Sequence, residues 1–118
     1  LTDAVLGAAA MGDIGQHFPD TDPRWEGASS LDLLTRVVAL VGERGYSVIN
    51  ADATVIAERP KLGPFRAAIV ERLSSALSVP AGRISVKAKT NEGVDAAGRG
   101  EAIAVHAVVL LAVPTPDC

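Results

Sequence analysis

The stretch ISVKAKT, residues 84–90, is followed by NEGVDAAGRGE, residues 91–101, and then by AIAVHAVVLL, residues 102–111. Apolar and polar side chains alternate strictly in the first segment, which is the period of a strand with one buried face. The last segment is apolar at nearly every position, which predicts a strand covered on both faces. The connection between them is far longer than the roughly 2–5 residues that a hairpin needs. The sequence therefore predicts two strands joined by a functional loop.

Three helices and one more strand are predicted before this unit. The first helix covers residues 1–11 and ends at Gly12, and the aperiodic segment 13–27 is predicted as a loop because it is dense in Asp, Gly and Pro. Ser29 and Asp32 have the spacing of a capping box, which opens a second helix that ends at Gly45.

Residues 46–57 alternate again and predict a strand. Its expected core face is Ile49, Ala51, Ala53, Val55 and Ala57, and its expected polar face is Asn50, Asp52 and Thr54.

The third helix is predicted at residues 65–77, with an apolar stripe that starts at Phe65 and continues through Ile69, Leu73 and Leu77. The order of elements predicts a single α+β domain over residues 1–118, with helices packed on one face of a small mixed β-sheet.

Composition narrows the classes of function. The 118 residues are 48% hydrophobic but only 3% aromatic, so the core must be aliphatic, and such an excess of small apolar side chains suggests further burial between subunits. A net charge of −3 without a basic cluster argues against non-specific nucleic-acid binding. The longest apolar run falls short of the roughly 20 residues that span a bilayer. The single cysteine, Cys118, predicts a reducing compartment and a cytoplasmic location.

Several polar segments are candidate sites, and each has an ordinary structural alternative. Asp13, Asp20 and Asp22 could bind a polyol or a cation, or could simply form turns. Thr90, Asn91 and Glu92 follow a strand, where they could hold a phosphate with its divalent metal, or form a polar turn.

Two further segments leave the same choice open. Arg99 lies between glycines and could bind an anion, or could pair with Glu101. Pro60 and Lys61 could contact a phosphate or form a turn. His17 and His106 lack the spacing of metal ligands, and a core imidazole is the favoured interpretation of His106.

Three separated segments together resemble one enzyme family. They are LTDAVLGAAAMGDIGQHFPDTDP at residues 1–23, NADATVIAERPKLGP at residues 50–64, and VKAKTNEG with GRGEAIA at residues 86–93 and 98–104. They resemble 2-C-methyl-D-erythritol 2,4-cyclodiphosphate synthase, an enzyme of the non-mevalonate isoprenoid pathway. The resemblance covers essentially the whole chain, with the segments in the right order.

The resemblance implies a homotrimer whose sheets face the three-fold axis, with an active site at each subunit boundary. It implies cyclisation of 4-diphosphocytidyl-2-C-methyl-D-erythritol 2-phosphate with release of CMP. Because the 2-phosphate of the substrate attacks its own β-phosphorus, the protein needs no nucleophile and has to position the substrate and neutralise charge. Two alternatives stay open: a non-catalytic trimeric domain that binds cytidine nucleotides, and the synthase half of a fusion with a cytidylyltransferase.

The resemblance also assigns roles by position. It implies a methylerythritol-phosphate pocket made by Asp3, Asp13, Ile14 and Gly15, with Asp20 as the next acid of the motif. It implies a cytidine pocket that Pro60, Lys61 and Leu62 form and that Ala88, Lys89 and Thr90 close, with catalytic roles for Thr90 and Asp3. Glu92 matches the ligand of a second metal, magnesium or manganese. Arg99 and Glu101 match residues near the trimer axis, where some members hold an isoprenoid diphosphate.

The sequence departs from the family pattern at the zinc ligands, at Lys89, and at residues 94–96, which lack the aromatic side chain that members often have there. The zinc ligands of the family, an Asp-x-His and a helix histidine, would lie before Leu1, so we expect no catalytic zinc and little activity in the chain as given. The chain starts inside a helical pattern without a cap, which indicates the remainder of a longer protein. Lys89 replaces a threonine that many members have, and it could contact phosphate or be solvated.

Overall fold

The computed structural model describes residues 1–19, 21–25, 27–58, 61–90 and 103–114. Its helices are α1 (Thr2–Ala8), α2 (Ile14–His17), α3 (Ser30–Glu43) and α4 (Arg66–Leu77). Its strands are β1 (Ser47–Ile56), β2 (Ile84–Lys89) and β3 (Ala104–Ala112). Single 3₁₀ turns lie at Pro23–Trp25, Gly63–Phe65 and Ala81–Arg83.

The three strands form a mixed sheet in the order β2-β1-β3. The central strand β1 is parallel to β2, with Ala51 opposite Ile84, and antiparallel to β3, with Ala53 opposite Ala107. The predicted α+β class with a small mixed sheet is therefore confirmed. The strands at 84–89 and 104–112 are not neighbours, which explains why the chain between them is too long for a hairpin.

A bulge in β1 changes the predicted alternation. The register with β3 shifts between Val48 and Asn50, so one extra residue is inserted there. Val48 is buried, whereas Ile49 is 37% exposed. The prediction that Ile49 shares the core face is wrong for this reason, while Ala51 and Ala53, beyond the bulge, are buried as predicted.

The core lies between the helices and one face of the sheet. Val5 and Leu6 of α1 and Val37 and Val41 of α3 are fully excluded from solvent. They cluster with buried residues of α4 and of the strands, including Leu77, Ile84 and Val86. Phe65 is 57% exposed, so its predicted place in the apolar stripe is wrong, because α4 begins only at Arg66.

The helix boundaries follow from specific caps. Ser29 Oγ accepts a hydrogen bond from Asp32 N at 3.1 Å, as its spacing predicted. The first helix ends at Ala8 rather than near Met11, because Ala10 has a positive φ of 56°. The amides of Ala10 and Met11 donate to the carbonyls of Gly7 and Leu6, which is a Schellman motif.

The segment 13–27 is not the uninterrupted loop that was predicted. It contains α2 and a 3₁₀ turn, which are both too short to leave a periodic signal.

The second face of the sheet is open in the single chain. Val108 and Leu110 of β3 are 69% and 52% exposed, so the prediction that this strand is covered on both faces is wrong for one subunit. His106 is also exposed, opposite Thr54, rather than a core imidazole. On the same face Lys87 Nζ lies 2.9 Å from Asp52 Oδ2.

Across the ranges that the structure describes, no helix is both long and apolar enough to cross a bilayer.

Candidate functional site

A cavity of about 280 Å³ opens where β1 and β2 end. Its size is near the lower limit of pockets that bind small molecules. Its wall consists of the end of β1 and the residues after it, the turn before α4, and the end of β2: Val55, Ala57, Glu58, Lys61, Leu62, Gly63, Ala88, Lys89 and Thr90.

Parallel pairing explains why these residues meet. Because β1 and β2 run in the same direction, their carboxyl ends reach the same edge of the sheet, which is where ligands bind in open α/β sheets. Val55 pairs with Ala88, and the amide of Ala57 donates to the carbonyl of Lys89 at 3.0 Å. The segments that follow β1 and β2 therefore leave the sheet side by side.

The wall combines an apolar surface with charge. Leu62 and Ala88 are half-buried, whereas Lys61 and Lys89 are exposed. Such a wall can pack against a flat ring while two ammonium groups face an attached anion. The structure thus brings together five residues of the predicted cytidine pocket: Lys61, Leu62, Ala88, Lys89 and Thr90.

Glu58 was missed by the sequence reasoning, although it lies two residues after the end of β1, much as Thr90 lies directly after the end of β2. Its place after a strand end was the available signal, and the same criterion that selected Thr90 would have selected it.

A second feature is the turn of residues 11–17. It contains Asp13, Ile14 and Gly15 of the predicted methylerythritol-phosphate pocket, and Asp3 contacts it from α1. Asp13 caps α2: its Oδ1 accepts from Gln16 N at 3.0 Å, while Gln16 Oε1 accepts from Asp13 N at 3.0 Å. This reciprocal pair is a capping box. Gly12 has a φ of +85°, and a Cβ there would overlap the side chain of Gln16, so the turn requires glycine.

Two more side chains contact this turn. Asp3 Oδ1 accepts from the amide of Ile14 at 2.7 Å, and His17 Nε2 lies 2.7 Å from the carbonyl oxygen of Met11. His17 is half-buried, which its position in an apparently irregular segment did not indicate. Gly15 is exposed beside Asp13 Oδ1, so its backbone is accessible.

The side chain of Asp22 stabilises a turn through its contacts with Arg24. Its carboxylate accepts from the backbone and the guanidinium of Arg24, with Nη2 to Oδ2 at 2.8 Å. The guanidinium groups of Arg24 and Arg36 lie 5.4 and 4.8 Å from the ring centroid of Trp25, and Phe18 meets that ring edge-on. Asp22 therefore fixes this segment through Arg24.

The contact between Asp22 and Arg24 predicts a pH effect. Side-chain hydrogen bonds from Arg24 are the largest cause that lowers the pKa of Asp22. Since the folded-state pKa is below the unfolded value, the stabilisation by the pair is present above the unfolded pKa and is lost as pH falls through the folded one. Arg24→Ala should raise the midpoint of the Asp22 carboxyl in a ¹³C NMR titration towards the ordinary aspartate value. An unchanged midpoint would contradict this cause.

Several predicted site residues lie outside the described residues: Asp20, Pro60, Asn91, Glu92, Arg99 and Glu101. In the ranges 1–19, 21–25, 27–58, 61–90 and 103–114, no three His, Cys, Asp or Glu side chains are grouped as a metal site would require. The described donors therefore do not form a site that fits a zinc ion. The predicted ligation of a second metal by Glu92 is not tested by them.

The chain matches the model of the YgbB family over residues 1–112. A 2-C-methyl-D-erythritol 2,4-cyclodiphosphate synthase of Symbiobacterium thermophilum is 57% identical over 112 residues, which are 95% of this chain and 71% of that protein.

Two solved structures are similar as well. The bifunctional IspDF of Campylobacter jejuni has a TM-score of 0.89 and 43% identity, over 94% of this chain and 30% of that one. A 2C-methyl-D-erythritol-2,4-cyclodiphosphate synthase in its CDP-bound form has a TM-score of 0.86 and 43% identity, over 94% and 71%. The chain therefore belongs to the YgbB family, together with the 2-C-methyl-D-erythritol 2,4-cyclodiphosphate synthases that it matches.

Proposed function

We propose that the protein carrying this chain cyclises 4-diphosphocytidyl-2-C-methyl-D-erythritol 2-phosphate to 2-C-methyl-D-erythritol 2,4-cyclodiphosphate and releases CMP. The observation that carries the proposal is the identity of 57% over 95% of the chain with a synthase of that name. The cavity at the ends of β1 and β2 supports it, because a similar synthase has been solved with CDP bound. In class terms the enzyme is a phosphorus–oxygen lyase.

In this proposal the chain's own residues position the substrate. Leu62 and Ala88 pack against the cytosine ring, while the ammonium groups of Lys61 and Lys89 face the diphosphate. The hydroxyl of Thr90 donates to a phosphate oxygen. Since the attacking 2-phosphate and the β-phosphorus belong to one molecule, holding them at contact distance supplies much of the acceleration.

The turn of residues 11–17 holds the other end of the substrate in the proposal. One oxygen of the Asp13 carboxylate is already used by Gln16 N, but a carboxylate has several acceptor positions, so Asp13 can also accept from a sugar hydroxyl. The exposed backbone of Gly15 allows close approach. Asp20 is the next acid of the motif that contains Asp13. Glu92, in a separate segment, is the proposed ligand of a magnesium or manganese ion. A bound divalent ion would supply charge neutralisation at the phosphates.

A homotrimer is proposed from the open face of the sheet. Ile49, Val108 and Leu110 are exposed apolar side chains on these strands, and apolar surface of this kind is commonly covered by a partner. Arg99 and Glu101 would then lie near the trimer axis. We further propose that residues 1–118 form one synthase-like domain and that the protein is cytoplasmic.

A second candidate is the synthase half of a larger enzyme. The similarity to a bifunctional IspDF, of whose length this chain covers 30%, favours it. It differs from the first candidate in what precedes Leu1, so a nucleotidyltransferase domain upstream would support it. The reaction at the site described above is the same in both. A non-catalytic cytidine-nucleotide-binding domain is the remaining alternative.

The test is release of CMP by the full-length protein, followed by ³¹P NMR with magnesium and zinc present. We expect the cyclic diphosphate and CMP in equal amounts, and we expect Glu92→Ala to lower turnover by about tenfold to a hundredfold or more, the range seen when support of a metal site is lost. Glu71→Ala on the exposed face of α4 is the control and should be neutral.

Each possible result decides one part of the proposal. Unchanged turnover in Glu92→Ala would remove the metal assignment. CDP binding without any CMP release would favour the non-catalytic domain. The 118-residue chain assayed alone tests the expectation that it has little activity.

A further inference from the structure

The hydrogen bond between Asp3 and Ile14 joins two separate elements. Asp3 lies in α1, and its Oδ1 accepts from the backbone amide of Ile14, eleven residues later, at 2.7 Å. The capping box joins Asp13 and Gln16, which are three positions apart, and fixes the turn only internally. The hydrogen bond from Ile14 to Asp3 therefore links the turn of residues 11–17 to α1, which the capping box does not do.

The helix that carries Asp3 is firmly anchored. Val5 and Leu6, two and three residues after Asp3, are fully excluded from solvent in the core. The side chain of Asp3 itself is exposed, and its described hydrogen bond goes to the amide of Ile14. The carboxylate of Asp3, carried by an anchored helix, therefore accepts a hydrogen bond from the backbone between Asp13 and Gly15.

We propose that Asp3 is a positioning residue: it orients the backbone of Asp13–Gly15 and acts on the substrate only through that backbone. This differs from the catalytic role that the resemblance implies for Asp3. The part that concerns substrate rests on the proposed function, whereas the part that concerns the turn does not. The group that matters is a hydrogen-bond acceptor, so its charge is dispensable.

Two substitutions separate the acceptor from the charge. Asp3→Asn keeps an oxygen that can accept from Ile14 N and removes the charge, whereas Asp3→Ala removes both. Asp32→Ala is the matched control, because Asp32 is likewise an exposed acid in the first turn of a helix but lies in α3. All variants keep the buried core unchanged, so they should fold.

The first readout is hydrogen exchange of the Ile14 amide in the full-length protein, which needs no substrate. We expect Asp3→Ala to speed exchange by about tenfold, since the acceptor of the Ile14 amide is lost, and Asp3→Asn and Asp32→Ala to change it little. Unchanged exchange in Asp3→Ala would overturn the proposal, whatever the activity.

The second readout is the kinetics of CMP release. We expect Asp3→Ala to raise KM about tenfold with a smaller change in kcat, and Asp3→Asn to restore most of the loss. If Asp3→Asn loses as much turnover as Asp3→Ala while the Ile14 amide stays protected, the charge acts directly and the proposal is wrong. If the wild type releases no CMP, the proposed function fails, and the exchange data alone still decide the role of Asp3.

Discussion

Substitution of Ala88 by phenylalanine is expected to weaken the binding of CDP by about 10²-fold or more. Ala88 is half-buried in β2, where it pairs with Val55 and lines the cavity of about 280 Å³. The added ring would occupy the space that we assign to the cytosine base. We expect the Kd for CDP, measured by isothermal titration calorimetry, to rise by about 10²-fold or more, which corresponds to about 3 kcal/mol.

Ala68→Phe is the control for this prediction. It places the same ring on the exposed surface of α4, away from the cavity, and should leave the Kd unchanged. Thermal unfolding of both variants shows whether the sheet tolerates the substitution. If Ala88→Phe is folded and binds CDP as tightly as the wild type, the nucleoside does not enter this cavity.

The largest loss of stability is expected from Leu6→Ala. Leu6 is fully buried, and its carbonyl accepts the hydrogen bond from Met11 that closes the end of α1. Removal of a buried leucine side chain leaves a cavity and typically lowers the free energy of unfolding by about 2–5 kcal/mol. Urea titration followed by circular dichroism measures this change.

Leu110→Ala is the matched control, because Leu110 is 52% exposed on the open face of the sheet. In the dissociated chain it should cost less than about 1 kcal/mol. An equal effect of the two substitutions at concentrations where the protein is monomeric would contradict the assignment of the core. A cost at Leu110 that appears only in the assembled protein would support the proposed trimer.

The sequence predicted those elements whose local pattern and tertiary environment agree. Ile84 and Val86 alternate with Ser85 and Lys87, and only one face of β2 packs against the helices. Ser29 caps α3 because its spacing to Asp32 is a purely local matter. In both cases, nothing distant in the chain alters the local preference.

The errors come from features without a local signal. The bulge at Val48 and Asn50 depends on the pairing of β1 with β3, so the side chains before it could not be placed by alternation alone. The apolar faces of β3 suggested burial on both sides, but burial of the second face requires something other than this chain.

The candidate cavity illustrates the same limit. Strand-end polarity selected Thr90, the loop after the predicted strand offered Lys61, and the family resemblance supplied Leu62. The parallel pairing of β1 with β2, which brings them together, is a long-range property that alternation does not specify. Glu58 was overlooked because it lies between the predicted strand, residues 46–57, and the segment 59–64 that follows it, and was assigned to neither. The roles of all these residues remain predictions.

The central claim is that the ends of β1 and β2 and the turn before α4 hold a cytidine nucleotide. The most direct test is a titration of the ¹⁵N-labelled protein with CDP, followed by the backbone amide shifts. The largest changes are predicted at Leu62, Ala88, Lys89 and Thr90, with saturation. Saturating shifts centred elsewhere, for example around Trp25, or no shifts at millimolar CDP, would contradict the account.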